Sequence, residues 1–170
     1  LCGAEVRKIV AERTRSASFH CSLIAFRDEA TTVLDKEPVE QGSFEQRFSN
    51  AIQQVGNPSG GTNYVAALDQ VKAVVKDLQP QFARLHICFL SDGRPSCYNL
   101  ESDFKQGVSV YLNQLRGIAD TFSTRMFFNA IAIASAEEDS KYLKYMTNVV
   151  LNRLSQRNAH FVEARAYRGS

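Results

Sequence analysis

The stretch from Arg84 to Ser96 most limits the folds open to this chain, because an apolar run in it stops abruptly at an acid, a glycine and a proline. Leu85, Ile87, Cys88, Phe89 and Leu90 are nearly continuous rather than alternating, the pattern of a parallel strand covered on both faces. Asp92 then falls at the carboxyl end of that strand, followed by Gly93 and Pro95. Open α/β sheets bind their ligands beyond those ends, so Asp92 is the first candidate site residue.

The rest of the chain supplies the other layers. Val6, Ile9 and Val10 share a face within residues 2–13, a short amphipathic helix. Residues 19–26 and 30–34 have strand composition around an Arg27-Asp28-Glu29 turn, which reads as a hairpin. Ser43 is placed to cap a helix, with Gln46 three residues on and Phe44, Phe48, Ile52 and Val55 at core-facing spacing. Residues 57–63 are turn residues rich in glycine, and they feed a helix over 64–78 marked by Val65, Leu68, Val71, Val75 and Leu78.

After residue 99 the pattern predicts a long helix over 100–122 through Phe104, Val108, Tyr111, Leu112, Leu115 and Ile118, a continuous apolar strand over 126–134, a helix over 139–154 through Leu143, Met146, Val150, Leu151 and Leu154, and a short strand over 159–162. Strand, helix, strand, helix, strand implies a doubly wound, mostly parallel sheet with helices on both faces. The 170 residues fit a single domain, 1–170.

Composition adds mainly exclusions. The chain is 44% apolar and 22% charged with a net charge of +2, so neither disorder nor a nucleic-acid partner is favoured. The arginines at 153, 157, 165 and 168 read as solvated surface. No run is long enough to span a bilayer. The four cysteines lack the spacing of a zinc or dithiol site. Cys21 and Cys88 read as core residues and Cys97 as an exposed thiol, a usage that favours a reducing compartment. His20, His86 and His160 read as strand residues rather than ligands, and Glu137, Glu138 and Asp139 as a helix start favoured by its dipole.

Ser59-Gly60-Gly61-Thr62-Asn63 before a helix, and Phe89-Leu90-Ser91-Asp92-Gly93 closing a strand, together resemble the von Willebrand factor type A (vWA) domain across nearly the whole chain. That resemblance implies a Rossmann-like fold bearing a metal-ion-dependent adhesion site (MIDAS), where Mg²⁺ or Mn²⁺ is held by an Asp-x-Ser-x-Ser loop, a Thr and an Asp. Thr62 and Asp92 match the last two. The Asp-x-Ser-x-Ser loop and the central first strand before it do not occur in these residues. The expectation is an N-terminally truncated domain.

Mg²⁺ demands near-octahedral oxygen coordination, so one hydroxyl and one carboxylate should bind it weakly or not at all. The function implied is protein–protein interaction through a cation completed by an acidic side chain of the partner, without catalysis. Two alternatives stand beside it: a metal-free scaffold of the same fold, and a metal-assisted α/β hydrolase using Asp92 or Cys97. The hydrolase lacks both a Gly-x-Ser-x-Gly elbow and a phosphate loop. For Thr62 a helix N-cap is the competing role, and for Asp92 a turn-forming Asp-Gly.

Overall fold

The computed structural model of the protein describes residues 18–40, 42–55, 60–91, 95, 110–133, 137–154 and 158–163. Among the described residues two sheets are formed. A hairpin pairs β1 (His20–Phe26) with β2 (Ala30–Pro38) antiparallel, and a parallel sheet runs in the order β3 (Leu85–Ser91), β4 (Met126–Ala132), β5 (Ala159–Glu163). The helices are α1 (Phe44–Gln54), α2 (Tyr64–Val75), α3 (Val110–Phe122) and α4 (Glu137–Arg153). Helix α3 connects to β4 through a 3₁₀ turn at Ser123–Arg125.

The hairpin is irregular because its ladder shifts register between Cys21 and Ile24. Lys36 takes up the mismatch at φ 48°, and its N–H donates to Ser22 Oγ at 2.9 Å. Glu40 ties the entrance to β1, accepting from the Phe19 N–H at 2.7 Å. That bond holds its carboxyl below the usual value. A depressed folded value gives stability that is present above the unfolded carboxylate range and lost as pH falls through the folded value. Glu40→Gln should therefore lower the urea midpoint at neutral pH, and the difference should vanish in acid.

The main core lies on one face of the parallel sheet. Ile87 and Phe89 of β3, Phe128 and Ala130 of β4, and Ala159 of β5 pack against Leu68 of α2, Leu115 and Ile118 of α3, and Leu143, Met146 and Val150 of α4. The helical positions are those that the periodicity predicts. A second, smaller core joins Leu34 and Val39 to Phe44 and Ala51 of α1.

Several expectations are corrected here. Strand β3 alternates, with Ile87, Phe89 and Ser91 buried and His86, Cys88 and Leu90 exposed, so among the described residues it is covered on one face only. The reason is that α2, α3 and α4 all contribute to the same core. Cys88 is accordingly exposed rather than in the core. Cys21 is half-buried, and burial pushes its thiol up, as suits a packing residue.

In α1, Ile52 is exposed and Ala51 is buried in its place, since the helix turns its Phe44–Ala51 side to the hairpin. Ser43 does not make its capping bond; its hydroxyl accepts from the Arg47 guanidinium instead. The predicted helix over 100–122 is described from Val110 onward, and residues 2–13 lie outside the described residues.

Candidate binding site at the carboxyl end of β3

The glycine-rich loop is fixed by long-range bonds to the hairpin turn. Asp28 Oδ1 accepts from the Gly61 N–H at 3.0 Å, the Asn63 side-chain amide donates to the Asp28 carbonyl at 2.9 Å, and the Asn63 N–H donates to the Arg27 carbonyl at 2.7 Å. Arg27 in turn donates to the Val55 carbonyl at the end of α1, at 3.1 Å. Gly60 has φ +106°, and a Cβ there would lie 2.8 Å from Asp28 Oδ2. Glycine suits both conditions, since L side chains rarely adopt that φ and Asp28 would have to shift to admit a Cβ.

Asn63, not Thr62, caps α2: its side-chain oxygen accepts from the Ala66 N–H at 3.0 Å. Thr62 is left in the loop immediately before the cap, half-buried. Asn63→Ala should lower stability by about 1 kcal/mol, the usual loss of a good cap, and Asn63→Asp should fall between the parent and the alanine variant, since it keeps the capping oxygen but loses the amide bond to the Asp28 carbonyl. Equal denaturant midpoints for the parent and the alanine variant would refute the cap.

Tyr64 joins this loop to the sheet. Its side chain is fully buried, and its hydroxyl donates to Ser91 Oγ at 3.1 Å. Ser91 is the last residue of β3, and its carbonyl accepts from the Ile133 N–H at 2.9 Å. Tyr64, two residues after Thr62, is thus bonded to Ser91, the residue before Asp92, at the carboxyl end of the strand. Asp92 itself lies outside the described residues, as does Cys97.

Among the described residues no three His, Cys, Asp or Glu side chains converge as a metal-binding group. The nearest described carboxylate to the loop, Asp28, already accepts a backbone bond. Thr62 with Asp28 does not make the six-oxygen shell that Mg²⁺ requires. His86 is stacked on Phe127 at 4.5 Å between ring centroids, and residues 137–139 begin α4.

A shallow cavity of about 340 Å³, lined by Arg116, Val149, Asn152 and Arg153, lies at the other end of the sheet, near the last turn of α4. Arg153 faces Asp120 there at 3.7 Å. No described helix is long and apolar enough to cross a membrane.

The sequence signals for Asp28, Asn63 and Tyr64 differ. An Asn directly before a helical pattern is a better cap than a Thr, so Asn63 was readable. Asp28 acts over a separation of 33 residues and Tyr64 bonds over 27, which no local pattern encodes.

No protein-family model matches the chain, and no curated protein matches it. Among solved structures, the PilB minor pilin from Streptococcus sanguinis is similar, with a TM-score of 0.55 at 16% identity. The match covers 86% of this chain and 44% of the pilin chain, and at that identity it speaks to the fold alone.

Proposed function

We propose that the chain is a vWA-like protein-binding module whose contact surface is the end of the sheet formed by the glycine loop and the loop after β3. The observation that carries this is the locking of Gly61 and Asn63 onto the hairpin turn, beside the Tyr64–Ser91 bond. Such a built, bonded loop at the carboxyl end of a parallel strand is where an α/β frame offers a ligand its contacts. Thr62 and Asp92 are the proposed cation ligands, with Mg²⁺ or Mn²⁺ completed by an acidic side chain of the partner.

The finer architecture belongs to the same proposal. The hairpin and the parallel sheet share no ladder among the described residues, yet the Phe26 and Phe89 rings lie 5.1 Å apart. In a doubly wound vWA-like sheet, the first strand and its Asp-x-Ser-x-Ser loop would run between β1 and β3. The fold likeness to a minor pilin agrees with an α/β frame of this kind, and the activity of that protein is not carried over.

The test is Mn²⁺ titration of the chain. Asp92→Ala and Thr62→Ala should each weaken Mn²⁺ binding by at least about tenfold, the loss seen when even a second-shell partner of a ligand is removed. Thermal unfolding should be unchanged. Partner capture should fall in a chelator. Equal Mn²⁺ affinity in both variants overturns the cation site, and partner capture that survives the chelator leaves the metal-free scaffold.

A further inference from the structure

Two guanidinium groups and a side-chain amide share the shallow cavity between α3 and α4. Arg116 comes from α3, Asn152 and Arg153 come from the last turn of α4, and the buried Val149 supplies an apolar wall. Both helices are held from behind, since Leu115 and Ile118 of α3 and Met146 and Val150 of α4 lie in the main core. The backbone that carries the cavity's side chains is therefore set before any ligand arrives, which lowers the cost of binding one.

The positive charge gathered there is only partly answered by the chain itself. Arg116 is half-buried, and Asn113 Oδ1 accepts from its Nη1 at 2.8 Å, so one of its N–H donors meets a neutral amide. Among the described residues no acid forms an ion pair with it. Asp120 lies one turn on, in the less favourable order for an i, i+4 pair. It faces Arg153 Nε at 3.7 Å instead, with both side chains about half exposed. A pair of that length and exposure contributes little. Two cations against one carboxylate leave the site with an excess of positive charge.

We propose that this cavity binds the phosphate monoester group of a small soluble molecule, with Arg116 and Arg153 donating to its oxygens from two helices and Asn152 adding an amide N–H. Guanidinium groups suit such oxyanions because their N–H donors come in pairs. A tetrahedral phosphate can meet donors from two directions, whereas a carboxylate offers its two oxygens in one plane. The volume of about 340 Å³ is at the small end of the roughly 300–1,000 Å³ of ligand pockets, which favours a compact ligand. A lipid surface fits less well: segments that hold anionic lipid carry about four to eight Lys or Arg together, and two line this cavity. The site lies at the other end of the sheet from the glycine loop and does not need the cation site.

The experiment is titration of the full chain with glycerol phosphate, at constant ionic strength and at a pH where the group is a dianion, followed by ¹H–¹⁵N spectra that resolve the Nε–H groups of Arg116 and Arg153. Binding should saturate, and Arg116→Gln and Arg153→Gln should each weaken it by about tenfold or more, the loss of a charge-assisted hydrogen bond. Asp120→Asn should tighten it by up to about fivefold, because the competing carboxylate charge is gone. Lys141→Gln, near the start of α4, should leave it unchanged. Shifts that grow without saturating, or equal affinity in the parent and both arginine variants, overturn the proposal. Acetate bound as tightly as glycerol phosphate overturns it in favour of a carboxylate ligand. Binding to phosphatidylcholine vesicles that carry phosphatidic acid, with none to glycerol phosphate, overturns it in favour of a membrane. Should an arginine variant fail to fold, Asp120→Asn decides: tighter binding supports the site, and unchanged binding overturns it.

Discussion

Tyr64→Ala should destabilise the protein by about 3–5 kcal/mol, the cost of emptying a large aromatic site in a packed core. Against a total of about 5–15 kcal/mol for a domain of this size, that is a large share. Tyr64 is fully buried and meets three rings edge-on: Phe26 at 6.1 Å, Phe89 at 5.0 Å and Tyr111 at 5.6 Å between centroids. Those rings belong to the hairpin, the parallel sheet and α3, so no single element can relax to fill the space. Tyr64→Phe keeps the rings in contact and removes the bond to Ser91, so it should cost about 1 kcal/mol. Denaturant midpoints for the pair check this; an alanine variant no worse than the phenylalanine one would show that the ring contacts carry little.

Gly60→Ala should cost about 1–3 kcal/mol, the range for a residue forced into a sparsely populated backbone region. Two effects combine at φ +106°: the strain of the conformation itself and the 2.8 Å approach of the new Cβ to Asp28 Oδ2. A double-mutant cycle separates them. In an Asp28→Ala background the close approach is gone, and the penalty of Gly60→Ala should fall to the backbone part. A penalty that is the same in both backgrounds would show that Asp28 simply moves aside. In the parent background the Gly61 amide should also exchange faster, because its bond to Asp28 is displaced.

The elements that were legible in the sequence are those with long or strong periodicity. Leu115, Ile118, Leu143, Met146 and Val150 were placed on core-facing helical positions, and all five are buried. The hairpin turn at Arg27–Glu29 was equally plain. What pattern could not give was the state of a surface. Cys88 and Leu90 are apolar and sit in a run that reads as buried on both sides, yet periodicity describes one strand and not what lies above it.

Ile52 failed similarly, because α1 meets the hairpin through Phe44 and Ala51 rather than along its most apolar line. At the candidate site the sequence gives Thr62 and the end of β3, and the structure adds the three residues that hold them. Asp28 and Tyr64 were out of reach because their partners are distant in the chain. Asn63 was in reach, and the apparent match at Thr62 obscured it.

The hairpin meets the parallel sheet through rings and loop bonds and through no backbone ladder among the described residues. Helix α2 is the second part of that joint: Leu68 lies in the main core, and the Gln70 amide donates to Thr32 Oγ1 of the hairpin at 2.7 Å. The glycine loop is fastened to the hairpin by Asp28 and to the parallel sheet by Tyr64. The order of that one loop therefore depends on both fastenings, and loss of either leaves it held from one side.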